Sequence, residues 1–86
     1  MRYTVLVKRS AKKEILNLPG HVRRSVEEEL VKLEDEPRPT GRFKVLKPPL
    51  EGYRIRVGDW RVLYVVDDLK REVFVYSVSH RGEAYR

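Results

Sequence analysis

Residues 53–64, Tyr53-Arg54-Ile55-Arg56-Val57-Gly58-Asp59-Trp60-Arg61-Val62-Leu63-Tyr64, decide how this chain folds. Two alternating segments flank Gly58-Asp59, a dipeptide that suits a two-residue β-hairpin turn with glycine at its first central position. Such a turn fixes the register: Val57 pairs with Trp60, and pairing runs outward through Arg56/Arg61, Ile55/Val62, Arg54/Leu63 and Tyr53/Tyr64. Tyr53, Ile55, Val57, Trp60, Val62 and Tyr64 then share one face, while Arg54, Arg56 and Arg61 share the other. Like charges directly opposed on a sheet cost roughly 0.2–1 kcal/mol, which is tolerated most easily where the face stays wet or meets an anion.

The rest of the chain supplies a partner for the apolar face. Tyr3 to Val7 is a β-branched run and reads as a first strand. Ser10 suits an N-cap for a helix over Ala11 to Leu18, with Ala11, Ile15 and Leu18 on one stripe. Pro19-Gly20 ends it. A second helix over His21 to Glu34 carries Val22, Val26, Leu30 and Leu33 inward, with Arg23/Glu27 and Arg24/Glu28 at i,i+4 on its wet side. Arg42 to Leu46 is expected as an edge strand, Pro48-Pro49 leads into the hairpin, and Val73 to Ser79 follows a turn over Asp67 to Arg71. Helices first and strands afterwards give an α+β layer, an antiparallel helix hairpin on one face of a mostly antiparallel sheet. Tyr53, Trp60 and Tyr64 are then core residues facing the helices. The turn before the last strand is too long to fix its register, so parity leaves open whether Ser77, Ser79 and Arg81 join the Arg61 face.

Composition bounds the class. At 86 residues the chain is expected to form a single domain over 1–86, small enough that stability is marginal without a partner. With no cysteine and only two histidines, neither a disulfide staple nor a thiolate metal site is expected. No apolar run approaches a membrane span and no signal peptide is recognisable, so a cytoplasmic setting is expected. Nineteen basic against 13 acidic residues, net +6 and pI about 9.8, favour an acidic partner such as RNA.

The order β-α-α-β-β-β-β, the segment Phe43-Lys44-Val45-Leu46 leading through Leu50-Glu51-Gly52 into the arginine hairpin, and the ending Ser77-Val78-Ser79-His80-Arg81 with Tyr85 resemble the RelE/ParE superfamily of toxin–antitoxin toxins, over nearly the whole chain. The resemblance implies a RelE-like fold and, for the RelE branch, a metal-independent endoribonuclease without cofactor. Such a toxin cleaves messenger RNA on the ribosome by attack of a ribose 2′-hydroxyl on the adjacent phosphate and so inhibits translation. It also implies a small cognate antitoxin as partner, beside the ribosome and mRNA. Arg54, Arg56, Arg61, Arg81 and Tyr85 match the positions of basic and tyrosine residues in that branch, and Lys44, Lys47 and His80 join Arg54 and Arg56 as expected RNA-binding residues.

Physical chemistry sorts these roles. Guanidinium stays charged and offers a planar fork to phosphate oxygens, so Arg61 and Arg81 suit clamps for a charged transition state. Arginine at 54 and 56, where relatives often carry lysine, is a poor proton acceptor. That leaves Tyr85 as candidate base: a phenol beside guanidinium groups ~5 Å away gains roughly 3 kcal/mol from each at an effective dielectric of about 20. His80 ranks second, as a possible acid. Read without the motif, Arg54 and Arg56 are equally accounted for by a solvated strand face, and Arg61 by an ion pair with Asp59 or Glu51. Two other functions share these residues: a ParE-like toxin that binds DNA gyrase without cutting nucleic acid, and a basic RNA-binding module without catalysis.

Overall fold

In the computed structural model, which describes residues 2–80, the elements follow as β1 (Thr4–Val7), α1 (Arg9–Leu16), α2 (Gly20–Leu33), β2 (Phe43–Val45), β3 (Tyr53–Val57), β4 (Trp60–Asp67) and β5 (Glu72–His80). They build one five-stranded sheet in the order β1-β5-β4-β3-β2. Only the β1/β5 pair is parallel; the helices carry the chain from β1 at one edge to β2 at the other, and three antiparallel pairings then bring β5 back beside β1. The α+β arrangement expected from the pattern of elements is therefore present.

The β3–β4 hairpin has the derived register, from Val57 opposite Trp60 out to Tyr53 opposite Tyr64. Gly58 turns with φ of 61°, as a glycine in the first central position must. Ile55, Val62 and Tyr64 are fully buried under Ala11 and Ile15 of α1 and Val26, Leu30 and Leu33 of α2, with Val73, Val75 and Val78 completing the core. Each such aliphatic side chain contributes about 1.5–3 kcal/mol on burial. Tyr64 is the largest fully buried side chain, and its hydroxyl is satisfied by donating to the carbonyl of Pro37 at 2.7 Å. Burial pushes that phenol up to about 12. Tyr53 and Trp60 lie on this face as expected, but only half-buried.

Element ends differ from the sequence reading where long-range pairing overrides a local signal. Ser10 does not cap α1. The helix starts two residues earlier than expected, at Arg9, with Lys8 at the capping position and no side-chain cap, because the Lys8 amide donates to the Val75 carbonyl at 2.8 Å and so carries the β1/β5 pairing into the first turn. It ends at Leu16, although Leu18 still packs into the core. The second helix begins at Gly20 and ends at Leu33, the edge strand shrinks to Phe43–Val45, and β5 runs from Glu72 to His80.

Three devices hold the sheet at its margins. Glu14 Oε1 of α1 accepts from the Val78 amide at 2.9 Å, closing part of the β5 edge that short β1 leaves bare. Gly52 lies so close to β4 that a Cβ there would stand 2.1 Å from the Tyr64 carbonyl oxygen, and its φ is +85°. A clamp joins the α2–β2 loop to the β4–β5 turn: Arg38 Nη2 donates to Asp68 Oδ2 at 2.8 Å, Arg38 Nε to the Tyr53 hydroxyl at 3.0 Å, and the Tyr3 hydroxyl to Asp68 Oδ1 at 2.6 Å. The Arg38 and Tyr3 hydrogen bonds hold the Asp68 carboxyl below the ordinary aspartate range, and the same contacts raise Arg38 and Tyr3.

The charge pattern of α1 works against the helix. Its first turn holds no acidic residue, although the amino end of a helix favours negative charge. Lys8/Lys12 and Arg9/Lys13 place like charges at i,i+4, each costing roughly 0.2–0.5 kcal/mol.

Candidate functional site

Among the described residues, the two helices cover one face of the sheet and leave the other uncovered, and the strand alternation decides which residues occupy it. Arg54 of β3 pairs with Lys44 of β2 on one side and Leu63 of β4 on the other. Arg56 pairs with Arg61, and Arg61 in turn pairs with Ser79 of β5. Since Ile55 and Val62 point into the core, Lys44, Arg54, Arg56, Arg61 and Ser79 share the uncovered face.

The register of β5 that parity left open is settled by a bulge. Leu63 faces Ser77 but Tyr64 faces Val75, so Tyr76 is an extra residue. Both Ser77 and Ser79 consequently stand on the Arg61 side. The bulge also frees the Tyr76 hydroxyl to donate to the Glu51 carbonyl at 2.7 Å, reaching across β4. It thereby ties the β2–β3 loop to the far side of the hairpin. The sequence carries a trace of it: the inward valines of β5 stand two apart at Val73 and Val75 and three apart from Val75 to Val78, as an extra residue between them requires.

Burial and charge set the character of the face. Arg56 is exposed, while Arg54 and Arg61 are half-buried. Nε and Nη1 of Arg61 and Oγ of Ser79 are all shut off from solvent, and the Ser79 hydroxyl has no hydrogen bond among the described residues. Four cations elsewhere are matched to carboxylates: Arg2 with Glu34 and Asp35, Lys32 and Arg42 with Glu29, Arg38 with Asp68. Lys44, Arg54 and Arg56 have no such partner among the described residues. Standing together on one face without a carboxylate among the described residues, these three are open to an external anion. Among the described residues, no three His, Cys, Asp or Glu side chains gather as a metal site.

Not every expected site residue joins this group. His80 pairs with Trp60 on the helix-side face, their rings edge to face at 5.0 Å. Alternation along β5 thus turns it away from Arg61. With Pro19, His21, Val22 and Trp60 it lines a cavity of about 430 Å³ between the helical turn and the hairpin tip. Lys47 is exposed in the loop after β2, at the turn in which its carbonyl accepts from the Leu50 amide at 3.1 Å. Arg81 and Tyr85 lie outside the described residues.

Comparison with known proteins agrees with this architecture. The family model described as "ParE toxin of type II toxin-antitoxin system, parDE" matches residues 5–85. Toxin RelG of Mycobacterium tuberculosis is 34% identical over 100% of this chain and 99% of its own. Among solved structures, the RelBE2 toxin–antitoxin complex of the same organism superimposes with a TM-score of 0.81 at 31% identity, covering 94% of this chain and 100% of the matched one. The archaeal RelE–RelB complex of Pyrococcus horikoshii OT3 gives a TM-score of 0.81 at 29% identity over 96% of this chain and 99% of the other.

Proposed function

Because this chain belongs to the ParE toxin family of type II toxin–antitoxin systems, within the RelE/ParE superfamily, we propose that its uncovered face is the active face of a ribosome-dependent mRNA endonuclease. The observation that carries this reading is the set of unmatched cations, Lys44, Arg54 and Arg56, ranked beside Arg61 on one face. A phosphodiester laid along them meets fixed positive charge at the spacing of the strands.

The reaction needs a base for the ribose 2′ proton, charge stabilisation on the phosphoryl oxygens, and an acid for the departing 5′ oxygen. Attack of the 2′ oxygen on the adjacent phosphorus forms a 2′,3′-cyclic phosphate as the bond to the 5′ oxygen breaks. Arg61 is suited to the charge term: a guanidinium whose Nε and Nη1 are already out of water loses little on desolvation and holds its direction. Arg54 and Arg56 position the backbone. Arg81 serves as the second clamp and Tyr85 as the base on sequence grounds. The cognate antitoxin is the partner that silences the toxin, since related chains are solved as RelB–RelE complexes, and its binding adds stability to a small domain by mass action.

A second reading has its own support, the match to a ParE description: a toxin that binds gyrase without cutting nucleic acid. Two assays separate them. Message cleavage in a translating extract with supercoiling left intact supports the nuclease; inhibited supercoiling with intact message supports the gyrase reading.

A further inference from the structure

The Ser79 hydroxyl has a placement that packing alone does not require. Its Oγ is shut off from solvent and makes no hydrogen bond among the described residues, whereas most buried hydroxyls in folded proteins have a partner because an orphaned one is costly. The ladder shows that a special feature of the sheet puts it there. Continued without a break from the Tyr64/Val75 pair, β5 would set Val78 opposite Arg61; the extra residue at Tyr76 sets Ser79 there instead and sends Val78 into the core. Directly opposed residues hold their Cβ atoms about 4.5–5.5 Å apart, so the hydroxyl lies beside the root of the Arg61 side chain. On the other flank of Arg61 stands Arg56, whose like charge biases the guanidinium towards the β5 side.

We propose that Ser79 is a positioning residue for Arg61: when a phosphate engages the uncovered face, Oγ accepts from the Arg61 guanidinium and holds its fork at the phosphoryl oxygens. This deepens the nuclease reading and rests on it for the identity of that anion. Hydrogen-bond chemistry fixes the direction of the contact. A guanidinium has five N–H donors and no acceptor, while a serine hydroxyl has two lone pairs, so a hydrogen bond between the two runs from Arg61 to Ser79. Of the two residues directly opposite Arg61, Arg56 offers no acceptor and Ser79 does. A charge stabiliser works best when its direction is set before charge develops, and the long arginine side chain needs an anchor for that. A hydroxyl that is idle in the free chain and engaged in the complex adds nothing to the fold, so its removal acts on the rate of the reaction.

The test is single-turnover cleavage of a defined message on stalled ribosomes, with the concentration of the toxin varied, for the unaltered chain, Ser79→Ala, Arg61→Ala and the double variant. In Ser79→Ala the rate at saturating toxin should fall about tenfold, the size expected for one hydrogen bond to a charged group, while the half-saturating concentration stays where it was. In the Arg61→Ala background the same replacement should change the rate by less than about twofold, because the hydroxyl then has no guanidinium to hold. The melting temperature of Ser79→Ala should not fall below that of the unaltered chain, since the free protein loses no hydrogen bond. A Ser79→Ala variant that cuts as fast as the unaltered chain overturns the proposal. So does an equal loss in both backgrounds, which would make the hydroxyl act without Arg61, and so does a lowered melting temperature, which would make Ser79 a support of the fold. A message left whole by the unaltered chain is the separate failure of the nuclease reading, and the positioning role falls with it.

Discussion

Arg61 of β4 stands directly opposite Ser79 of β5, and through the neighbouring ladder opposite Arg56 of β3. The relationship places a guanidinium at the centre of the uncovered face, with a second arginine on one side and a serine hydroxyl shut off from water on the other. Arg61 thus occupies the position from which a phosphate bound along the face would be reached by Arg54 and Arg56 as well.

Opposed like charges make the site a stability cost. Replacing exposed Arg56 by threonine removes the repulsion with Arg61 and installs a better strand former, so Arg56→Thr should stabilise the fold by about 0.5 kcal/mol. That corresponds to a rise of about 2–4 °C in Tm. The same change should weaken RNA binding and lower its salt slope by about 0.7–0.9. Thermal melts and binding isotherms on one preparation check both; a lower Tm would mean that Arg56 holds the fold rather than a ligand.

Gly52 gives a backbone test. A Cβ at this position would meet the Tyr64 carbonyl oxygen at 2.1 Å and the Val65 side chain at 2.8 Å, at a φ of +85°. Gly52→Ala should destabilise the domain by about 2–4 kcal/mol. Denaturant unfolding should show the midpoint falling with the m-value unchanged.

Acid should loosen the Arg38–Asp68–Tyr3 clamp. The folded Asp68 carboxyl titrates below its ordinary value, chiefly through the Arg38 hydrogen bond and then that of Tyr3. Its contribution is therefore complete above about pH 4 and is lost as pH falls through the depressed folded value. The gap in Tm between the unaltered chain and Asp68→Asn should be widest at neutral pH and close as pH falls through the depressed folded value. A gap constant with pH would show that Asp68 acts through something other than its charge.

The hairpin and its arginine face were legible in the sequence because a two-residue turn leaves no freedom in register. Alternation then assigns Arg54, Arg56 and Arg61 to one side and Ile55, Val62 and Tyr64 to the other. Local signals failed where distant pairing competed. Ser10 is a good capping residue, yet the Lys8–Val75 hydrogen bond starts α1 before it. The position of Ser79 depended on the bulge at Tyr76, whose hydroxyl reaches from β5 to the Glu51 carbonyl across β4. His80 looked like a companion of the arginines by nearness in sequence, but strand parity put it beside Trp60. The Arg38–Asp68 clamp joins two loops far apart in the chain, and no periodicity encodes such a contact.

The most direct test of the arginine face is primer extension on a message translated in the presence of purified protein, comparing the unaltered chain with Arg61→Ala. Loss of one preorganised charge stabiliser typically costs about 10²–10³ in rate. The account predicts discrete cuts within the translated region for the unaltered chain and a loss of that size in the variant, whose fold remains intact. Equal cleavage by both proteins would contradict it, as would a message left whole by the unaltered chain.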